Sequence, residues 1–205
     1  MPINRRNETR AEATFNSSNS LLIGVPGIIL STDLFGNFAA IFPLKPPTTQ
    51  QDHAMNQPAR SQPVRQLLAQ EKHGLLSTLS RKAQGWPFGS LAPFALAANG
   101  EPLLLLSQLA EHTQNLLADP RVSLFVQDAQ AQANPQAGAR ATLLCTAEVV
   151  AESEVEAARQ AYLHRFPDAA SLFQMGDFRL FKLKIERIRF IRGFGEMYWL
   201  SGTEL

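Results

Sequence analysis

Apolar residues recur along this chain mostly in short runs separated by turn signals, and only in a few places at helical spacing. Val64, Leu67 and Leu68 stand at i, i+3 and i+4, which predicts a short amphipathic helix over residues 64–72. Gly74 should end that helix, because glycine accepts the left-handed backbone found at helix ends.

The middle of the chain shows the pattern of paired strands. Residues 74–80 form a short apolar run that contains a β-favouring threonine, which predicts a strand. The apolar runs 90–98 and 102–107 are joined by Asn99-Gly100, a strong hairpin signal because both residues tolerate a positive φ. We therefore expect a β-hairpin from Ser90 to Ser107.

Helices and strands follow one another irregularly in the second half of the chain. Residues 109–120 are predicted to be helical, with three leucines on one face, Leu109, Leu116 and Leu117. Ser153 and Glu156 have the spacing of a capping box, which predicts a second helix over residues 154–165. Further strands are predicted over residues 121–127, 139–151 and, as a pair, 177–200.

The order of these elements decides the fold class. Five or six antiparallel strands interrupted by small helices suit a mainly β fold, a closed barrel with peripheral helices. A doubly wound parallel sheet is disfavoured, because the strands do not alternate regularly with long helices.

Composition narrows the class of protein further. The chain has 205 residues, 45% of them hydrophobic, and a formal net charge of +1. That length suits one domain with an appendage, and the balanced charge supplies no basic field for nucleic acid. The single cysteine, Cys145, excludes an internal disulfide, and its apolar neighbours predict an inert buried thiol.

The N-terminal region differs in character from the rest. Residues 21–44 are largely apolar but contain Asp33, two prolines and three glycines, which disfavours a membrane span of roughly 20 apolar residues. Residues 45–63 are rich in proline, glutamine and threonine, the composition of a linker. We expect a poorly ordered extension over residues 1–54, a cofactor-binding domain over residues 55–205, a cytoplasmic location and no membrane contact.

Known catalytic motifs are absent from the sequence. It contains no nucleophile elbow, P-loop, H-E-x-x-H or dinucleotide-binding glycine motif. The four histidines are widely separated and lack partners at metal-ligand spacing, namely His53, His73, His112 and His164. We therefore expect no dedicated metal site.

One cluster of polar residues suggests ligand binding. Ser90 and Ser107 lie near strand ends, and His112 and Asn115 stand at i and i+3 on the predicted helix. If the start of that helix faces a cleft, its free N–H groups, a hydroxyl and a histidine would bind phosphate. The alternative is an ordinary solvated helix face.

Several motifs in consistent order resemble the FMN-binding split β-barrels of the pyridoxamine 5'-phosphate oxidase-like superfamily. They span residues 64–200 and read GLLSTLS, GWPFGS, EHTQNLLADPR, ARATLL and GFG followed by an aromatic residue. The set is most similar to the haem-utilisation branch of that superfamily. This resemblance implies a homodimer with FMN at its interface, and haem as the alternative cofactor.

The resemblance also implies roles for individual residues. Gly89 and Ser90 would lie along the flavin ring, Ser107 would lead into the phosphate loop, and His112 falls where the oxidases place a phosphate-binding lysine. Arg140 matches a flavin-contacting position and an arginine that faces the haem pocket in haem-degrading relatives. The predicted cofactor-binding residues are Gly89, Ser90, Ser107, His112, Asn115 and Arg140.

Departures from the family pattern keep three functions open. Glu111 beside His112 would repel a phosphate, Gln114 stands where the haem branch has a basic residue, and the substrate motif of true pyridoxamine phosphate oxidases is missing. In haem-degrading members of the superfamily, a C-terminal tail supplies an axial histidine. The sequence shows no such tail after GFGEMYWL, so haem oxygenase activity is not expected. A flavin-dependent oxidoreductase, a haem-binding protein and a cofactor-free dimeric module remain as possible functions.

A series of basic residues near the C-terminal end is interpreted as a solvated strand face. It comprises Lys182, Lys184, Arg187, Arg189 and Arg192.

Overall fold

The chain divides by its contacts into one unit up to Asp52 and a second from His53 onward. The computed structural model describes residues 20–25, 28–33, 57–131, 133–193 and 195–205. In the first unit it gives an antiparallel pair of strands, β1 (Ser20–Val25) and β2 (Ile28–Asp33). The rest of the predicted N-terminal extension lies outside the described residues, and its poor order stays a prediction.

The second unit opens with helix α1 (Gln57–Gln70). Its buried apolar residues are Val64, Leu67 and Leu68, which confirms the predicted amphipathic helix. The linker prediction is wrong over residues 57–63, which are helical although Pro63 lies among them. Tertiary contacts stabilise this first part, since the Tyr198 hydroxyl donates to the Arg60 carbonyl at 2.8 Å and its ring lies 4.5 Å from the Arg60 guanidinium.

The remaining strands form one antiparallel sheet of eight. They are β3 (His73–Leu79), β4 (Pro87–Pro93), β5 (Ala95–Leu96), β6 (Pro102–Ser107), β7 (Arg121–Gln127), β8 (Ala139–Val149), β9 (Phe178–Arg192) and β10 (Glu196–Ser201). Their order in space is β4-β3-β7-β8-β9-β6-β5. Along β9, the first half pairs with β6 and the second half with β10. The mainly β fold, a split β-barrel with peripheral helices, is as predicted.

The sheet curls around the main hydrophobic core. Leu76, Leu124, Leu143 and Ile188 are fully buried and pair with one another across β3, β7, β8 and β9. The apolar side of α1 packs in the same cluster. Each such side chain contributes roughly 2 kcal/mol through burial, and alternation along the strands sends the neighbouring residues to the opposite side of the sheet.

The predicted hairpin from Ser90 to Ser107 is wrong except at its turn. The turn itself is confirmed, with Gly100 at φ +86°. However, β4 pairs with β3, and only the two residues of β5 pair with β6. The run divides because Phe94 is fully buried and its N–H donates to the Lys72 carbonyl at 3.0 Å, which bends the chain between two partner strands.

Helices α2 (Glu111–Ala118) and α3 (Glu152–Arg165) confirm two further predictions. The predicted leucine face of α2 is wrong, since Leu116 is buried but Leu109 is 84% exposed. The predicted capping box on α3 is also wrong, because Ala151 is its N-cap and makes no side-chain cap hydrogen bond. Among the described residues, no helix is long and apolar enough to cross a membrane.

Helix α3 covers a second, smaller core. Its residues Ala158 and Tyr162 pack with Leu103 and Leu105 of β6 and with Leu180 of β9. Helix α3 lies on the outward side of the sheet at β6 and the first half of β9. On the outward side of the other strands, large apolar residues are exposed within the described residues, among them Leu75, Leu91 and Trp199.

A β-bulge interrupts the pairing of β8 with β9. Leu144 pairs with Arg187 but Cys145 pairs with Ile185, so Glu186 is an extra residue on β9. The extra residue lets Ile185 and Ile188 both face the core. Burial raises the pKa of the Cys145 thiol to about 12, in agreement with the predicted inert cysteine.

Candidate functional site

The outward-pointing residues of β4, β3, β7, β8, β9 and β10 form a surface that we call the outer face. Paired residues of antiparallel strands point to the same side, so the register defines its rows. The central row is Leu91, Leu75, Phe125, Thr142, Arg189 and Trp199. One flanking row is Gly89, Ser77, Ser123, Leu144, Arg187 and Ser201. The other flanking row contains Pro93, His73, Gln127, Arg140, Ile191 and Met197.

Large apolar side chains are exposed on the outer face. Leu91 is 72% exposed, and the others in this group are Leu75, Leu144, Met197 and Trp199. Isolated exposed leucines are ordinary, whereas several on one surface mark an interface or a ligand-binding area.

Two open grooves run along the outer face. The first, of about 430 Å³, has an apolar floor of Leu75, Leu91 and Phe125 and includes His73 and Gln127 in its lining. The second, of about 480 Å³, is lined in part by Ser77, Ser123 and Leu144. Both grooves are shallow in a single chain, so a second surface is needed to enclose a ligand there.

Cationic side chains occupy the β9–β10 side of the outer face. The guanidinium carbons of Arg187 and Arg189 lie 4.7 and 5.7 Å from the centre of the Trp199 ring. Contacts of this kind contribute about 0.5–1 kcal/mol each at exposed sites. They hold two guanidinium groups beside an apolar surface, where guanidinium can bind a carboxylate or phosphate in bidentate fashion.

The predicted phosphate site at α2 is engaged within the chain itself. The Ser107 hydroxyl donates to the Asp177 carboxylate at 2.5 Å and accepts from the Leu109 N–H at 3.1 Å. Lys82 pairs with Glu111 at 3.0 Å in the first turn of the helix. The Asp177 carboxylate and the Lys82–Glu111 ion pair therefore lie beside the residues that the sequence predicts to bind phosphate.

Asn115 and His112 also have features that argue against an anion site. The Asn115 side chain is buried, accepts from the Arg81 N–H at 3.0 Å and donates to the Thr78 hydroxyl at 3.1 Å. Burial lowers the pKa of the His112 imidazole, so at neutral pH this ring lacks the charge that would attract a phosphate.

The other predicted residues are divided between the two sides of the sheet. Gly89 and Arg140 lie on the outer face, whereas Ser90 pairs with Leu76 and faces the barrel interior. An added Cβ at Gly89 would stand 3.2 Å from Leu75 Cδ1, so glycine keeps this part of the surface open. The Arg140 guanidinium donates to the carbonyls of Gln136 at 2.9 Å and Gly138 at 3.3 Å.

Arg140 and Ser107 are far apart in one chain. Ser107 pairs with Phe178 and Arg140 with Ile191, 13 residues further along β9. At about 3.3 Å per residue this is about 40 Å of strand, shortened only by the curl of the sheet. A cofactor-sized ligand therefore cannot touch both residues within one chain.

No group of three or more histidine, cysteine, aspartate or glutamate side chains within the described ranges could hold a metal ion. The candidate site is the outer face, because it combines an apolar groove floor with the guanidinium groups of Arg140, Arg187 and Arg189 and the imidazole of His73.

The curled antiparallel sheet with peripheral helices is a split β-barrel of the pyridoxamine 5'-phosphate oxidase-like superfamily. Residues 56–204 match the family described as CREG, beta-barrel, and the chain belongs to that family.

Two characterised relatives are named for haem chemistry. The chain is 37% identical over 129 residues to the chloroplastic heme oxygenase HOZ of Arabidopsis thaliana, a match that covers 63% of this chain. It is 35% identical over 127 residues to the heme oxygenase HutZ of Vibrio cholerae, covering 60% of this chain and 72% of HutZ. The chain spans only 39% of the length of HOZ.

Solved structures give the same picture. A heme-binding protein from Mycobacterium smegmatis has a TM-score of 0.66 and 32% identity, over 73% of this chain and 59% of that one. The HutZ structure from Vibrio cholerae has a TM-score of 0.53 and 26% identity, over 68% of this chain and 92% of that one. These neighbours place the chain with the haem-utilisation branch, as the sequence motifs indicated.

The sequence interpretation placed Arg187 and Arg189 on a solvated strand face, and Arg187 is exposed. It did not reveal that both guanidinium groups lie beside Trp199. A signal was present, since the apolar residues of β9 alternate through Ile185 and then shift phase at Ile188. That phase shift is the mark of a bulge, and it places Arg187 and Arg189 on the same side as Trp199.

Proposed function

We propose that this protein binds haem on the outer face, between the two subunits of a homodimer, and serves haem utilisation. The observation that carries the proposal is the combination of exposed apolar side chains with arginines on one face of the sheet. Haem is a flat, largely apolar molecule with two carboxylates, so it requires both kinds of contact. When bound, haem supplies an iron centre whose reactivity depends on its surroundings.

The names of the relatives support haem over FMN as the ligand. HOZ and HutZ are named heme oxygenases, and the mycobacterial neighbour is named a heme-binding protein. Since the chain spans less than half of HOZ, the proposal concerns haem binding and leaves degradation to a direct assay.

An FMN-dependent oxidoreductase is the second candidate. Gly89 keeps the surface of β4 open to a flat ring, which favours either cofactor. However, FMN also needs a phosphate site, and Asp177 and Glu111 stand beside the residues predicted to provide it. A dianionic phosphate is repelled by such carboxylates, so the structure supports FMN less well.

The proposed dimer would complete the site. Within the described residues, the outer face exposes several large apolar side chains, and its grooves are open on one side. A two-fold axis would bring the same face of a second chain over it and enclose a ligand between them.

Haemin titration of the purified protein tests the proposal. We expect a Soret band that saturates at a fixed ratio of haemin to protein. Removing both guanidinium groups in Arg187→Ala/Arg189→Ala should weaken haemin affinity about tenfold or more, because charge-assisted hydrogen bonds contribute about 1.5–3 kcal/mol. Arg65→Ala, an exposed arginine of α1, is the matched control and should bind like the wild type.

Two results would contradict the proposal. One is a wild-type protein that does not bind haemin in this titration. The other is protein purified with stoichiometric flavin absorbance that haemin does not displace, which would favour the FMN-dependent oxidoreductase.

A further inference from the structure

We propose that His73 is an axial ligand of the haem iron, an inference that rests on the proposed function. His73 is the first residue of β3, pairs with Pro93 and is exposed on the outer face. Neutral imidazole is a common protein ligand of haem iron. An exposed imidazole beside an apolar groove is chemically suited to this role.

His73 lies beside an apolar surface large enough to contact part of a flat porphyrin. It lines the groove of about 430 Å³ together with Leu75, Leu91 and Phe125. Glu71 and Asp128 also line this groove, and their carboxylates accept from the N–H groups of Ala129 and Gln130 at 3.0 and 2.8 Å. The three apolar side chains offer a contact for one side of the ring, while the imidazole stands at the same surface. Gln127 lines the groove on the next strand and pairs with Arg140 on the strand after it.

Arg140 is placed to hold a propionate while His73 binds the iron. The two residues lie on the outer face with β7 between their strands. Two strand spacings amount to about 10 Å, a separation comparable to the reach from the centre of a porphyrin to its carboxylates. The same surface therefore offers an iron ligand and a carboxylate partner at compatible positions.

Other candidate ligands in the described part of the chain are less well placed. His112 is half-buried on α2, and His164 is exposed on α3, away from the outer face. The Cys145 thiol is buried and its pKa is raised to about 12, so it does not supply a thiolate. Met197 lies on the outer face but on β10, three strands beyond β7 in the sheet.

Ferric haemin titrations of His73→Ala test the assignment. His164→Ala is the matched control, and Met197→Leu tests the competing thioether ligand. The measurements are the Soret position, the spin state by electron paramagnetic resonance, and the affinity. We expect His73→Ala to shift the Soret band, change the spin state and weaken affinity at least about tenfold, since loss of an outer-shell partner alone typically costs 10–100-fold. Added imidazole should restore the wild-type spectrum. His164→Ala should match the wild type in spectrum and affinity, and Met197→Leu should keep the wild-type Soret position and spin state.

The possible outcomes separate this inference from the proposed function. If the wild type binds no haemin, the proposed function fails and the ligand assignment fails with it. If His73→Ala binds haemin with the spectrum and affinity of the wild type, or if Met197→Leu alone changes the spectrum, the assignment is overturned while haem binding stands. Circular dichroism checks that His73→Ala is folded. If the variant is folded but added imidazole does not restore the wild-type haemin spectrum, the ligand assignment is also overturned.

Discussion

Asn115, which the sequence predicts to contact a cofactor, is a buried polar side chain that connects two elements of the fold. Its carbonyl and amide groups bond to Arg81 and Thr78, which join α2 to the end of β3. From the sequence, the same residue is predicted to contact a cofactor because it shares a helix face with His112. The sequence shows the spacing along the helix, but it does not show which partner the amide meets.

Replacing Asn115 by alanine should destabilise the protein by about 1–3 kcal/mol, because it leaves the Arg81 N–H and the Thr78 hydroxyl without this partner in a buried position. Urea denaturation followed by circular dichroism measures the effect. Gln114→Ala is the control. It removes only solvent-exposed hydrogen bonds, to the Arg81 guanidinium and the Gln108 carbonyl, so it should destabilise the protein less than Asn115→Ala does. An Asn115→Ala protein of unchanged stability that binds haemin poorly would instead restore the predicted cofactor role.

Arg165 links two helices that are far apart in the sequence. From the end of α3 its guanidinium donates to the Ala69 carbonyl at 2.9 Å and to the Leu68 and Glu71 carbonyls at the end of α1. These carbonyls have no partner within a helix, and a cation also interacts favourably with a helix C-terminus. One side chain thus caps α1 and fixes α3 to it.

We expect Arg165→Ala to lower the free energy of unfolding by about 2 kcal/mol, the range of hydrogen bonds made by charged groups. Thermal and urea denaturation give the value. Arg159→Ala on the same helix removes an exposed guanidinium whose ion pair with Glu156 spans 3.9 Å, so it should have little effect. Equal losses in the two variants would show that Arg165 acts only as a surface charge.

The pattern of apolar residues predicted most helices and strands correctly, because burial imposes the period of each element on its own residues. It failed where partners decide the structure. The run from Ser90 to Leu96 looks like one strand, yet Phe94 enters the core and divides it between β3 and β6. The bulge at Glu186 likewise appears in the sequence only as a phase shift in β9.

At the scale of the whole molecule, the outer face is the surface on which we expect a second subunit to bind, because it exposes several large apolar side chains. Leu91 is exposed at its centre row and lies at the edge of the sheet, on β4. A second copy of the chain over this surface would bury it and close the grooves. The dimer is therefore expected to be the haem-binding form.

An aspartate at position 91 should break this dimer, because it would bury a charge without a partner in an apolar contact. Sedimentation velocity should show a dimeric wild type and a monomeric Leu91→Asp, with haemin affinity reduced in parallel. Leu109→Asp is the matched control, since Leu109 is also highly exposed but precedes α2 and lies off the outer face. A wild type that sediments as a monomer with and without haemin would exclude the dimer.

The sequence by itself determined the mainly β class, the position of most elements and the superfamily, because hydrophobic period, turn residues and motif order are local properties. Tertiary structure alone decided which strands pair, which side of the sheet each residue faces, and which polar groups bond within the chain. In the folded chain, Ser107 and Asn115 form hydrogen bonds with Asp177 and Thr78. Strand pairing also places His73, Arg140, Arg187 and Arg189 on one face of the sheet. The physical reason is that the pairing register and the side-chain partners depend on residues distant in the chain, and a local sequence pattern contains no information about those residues.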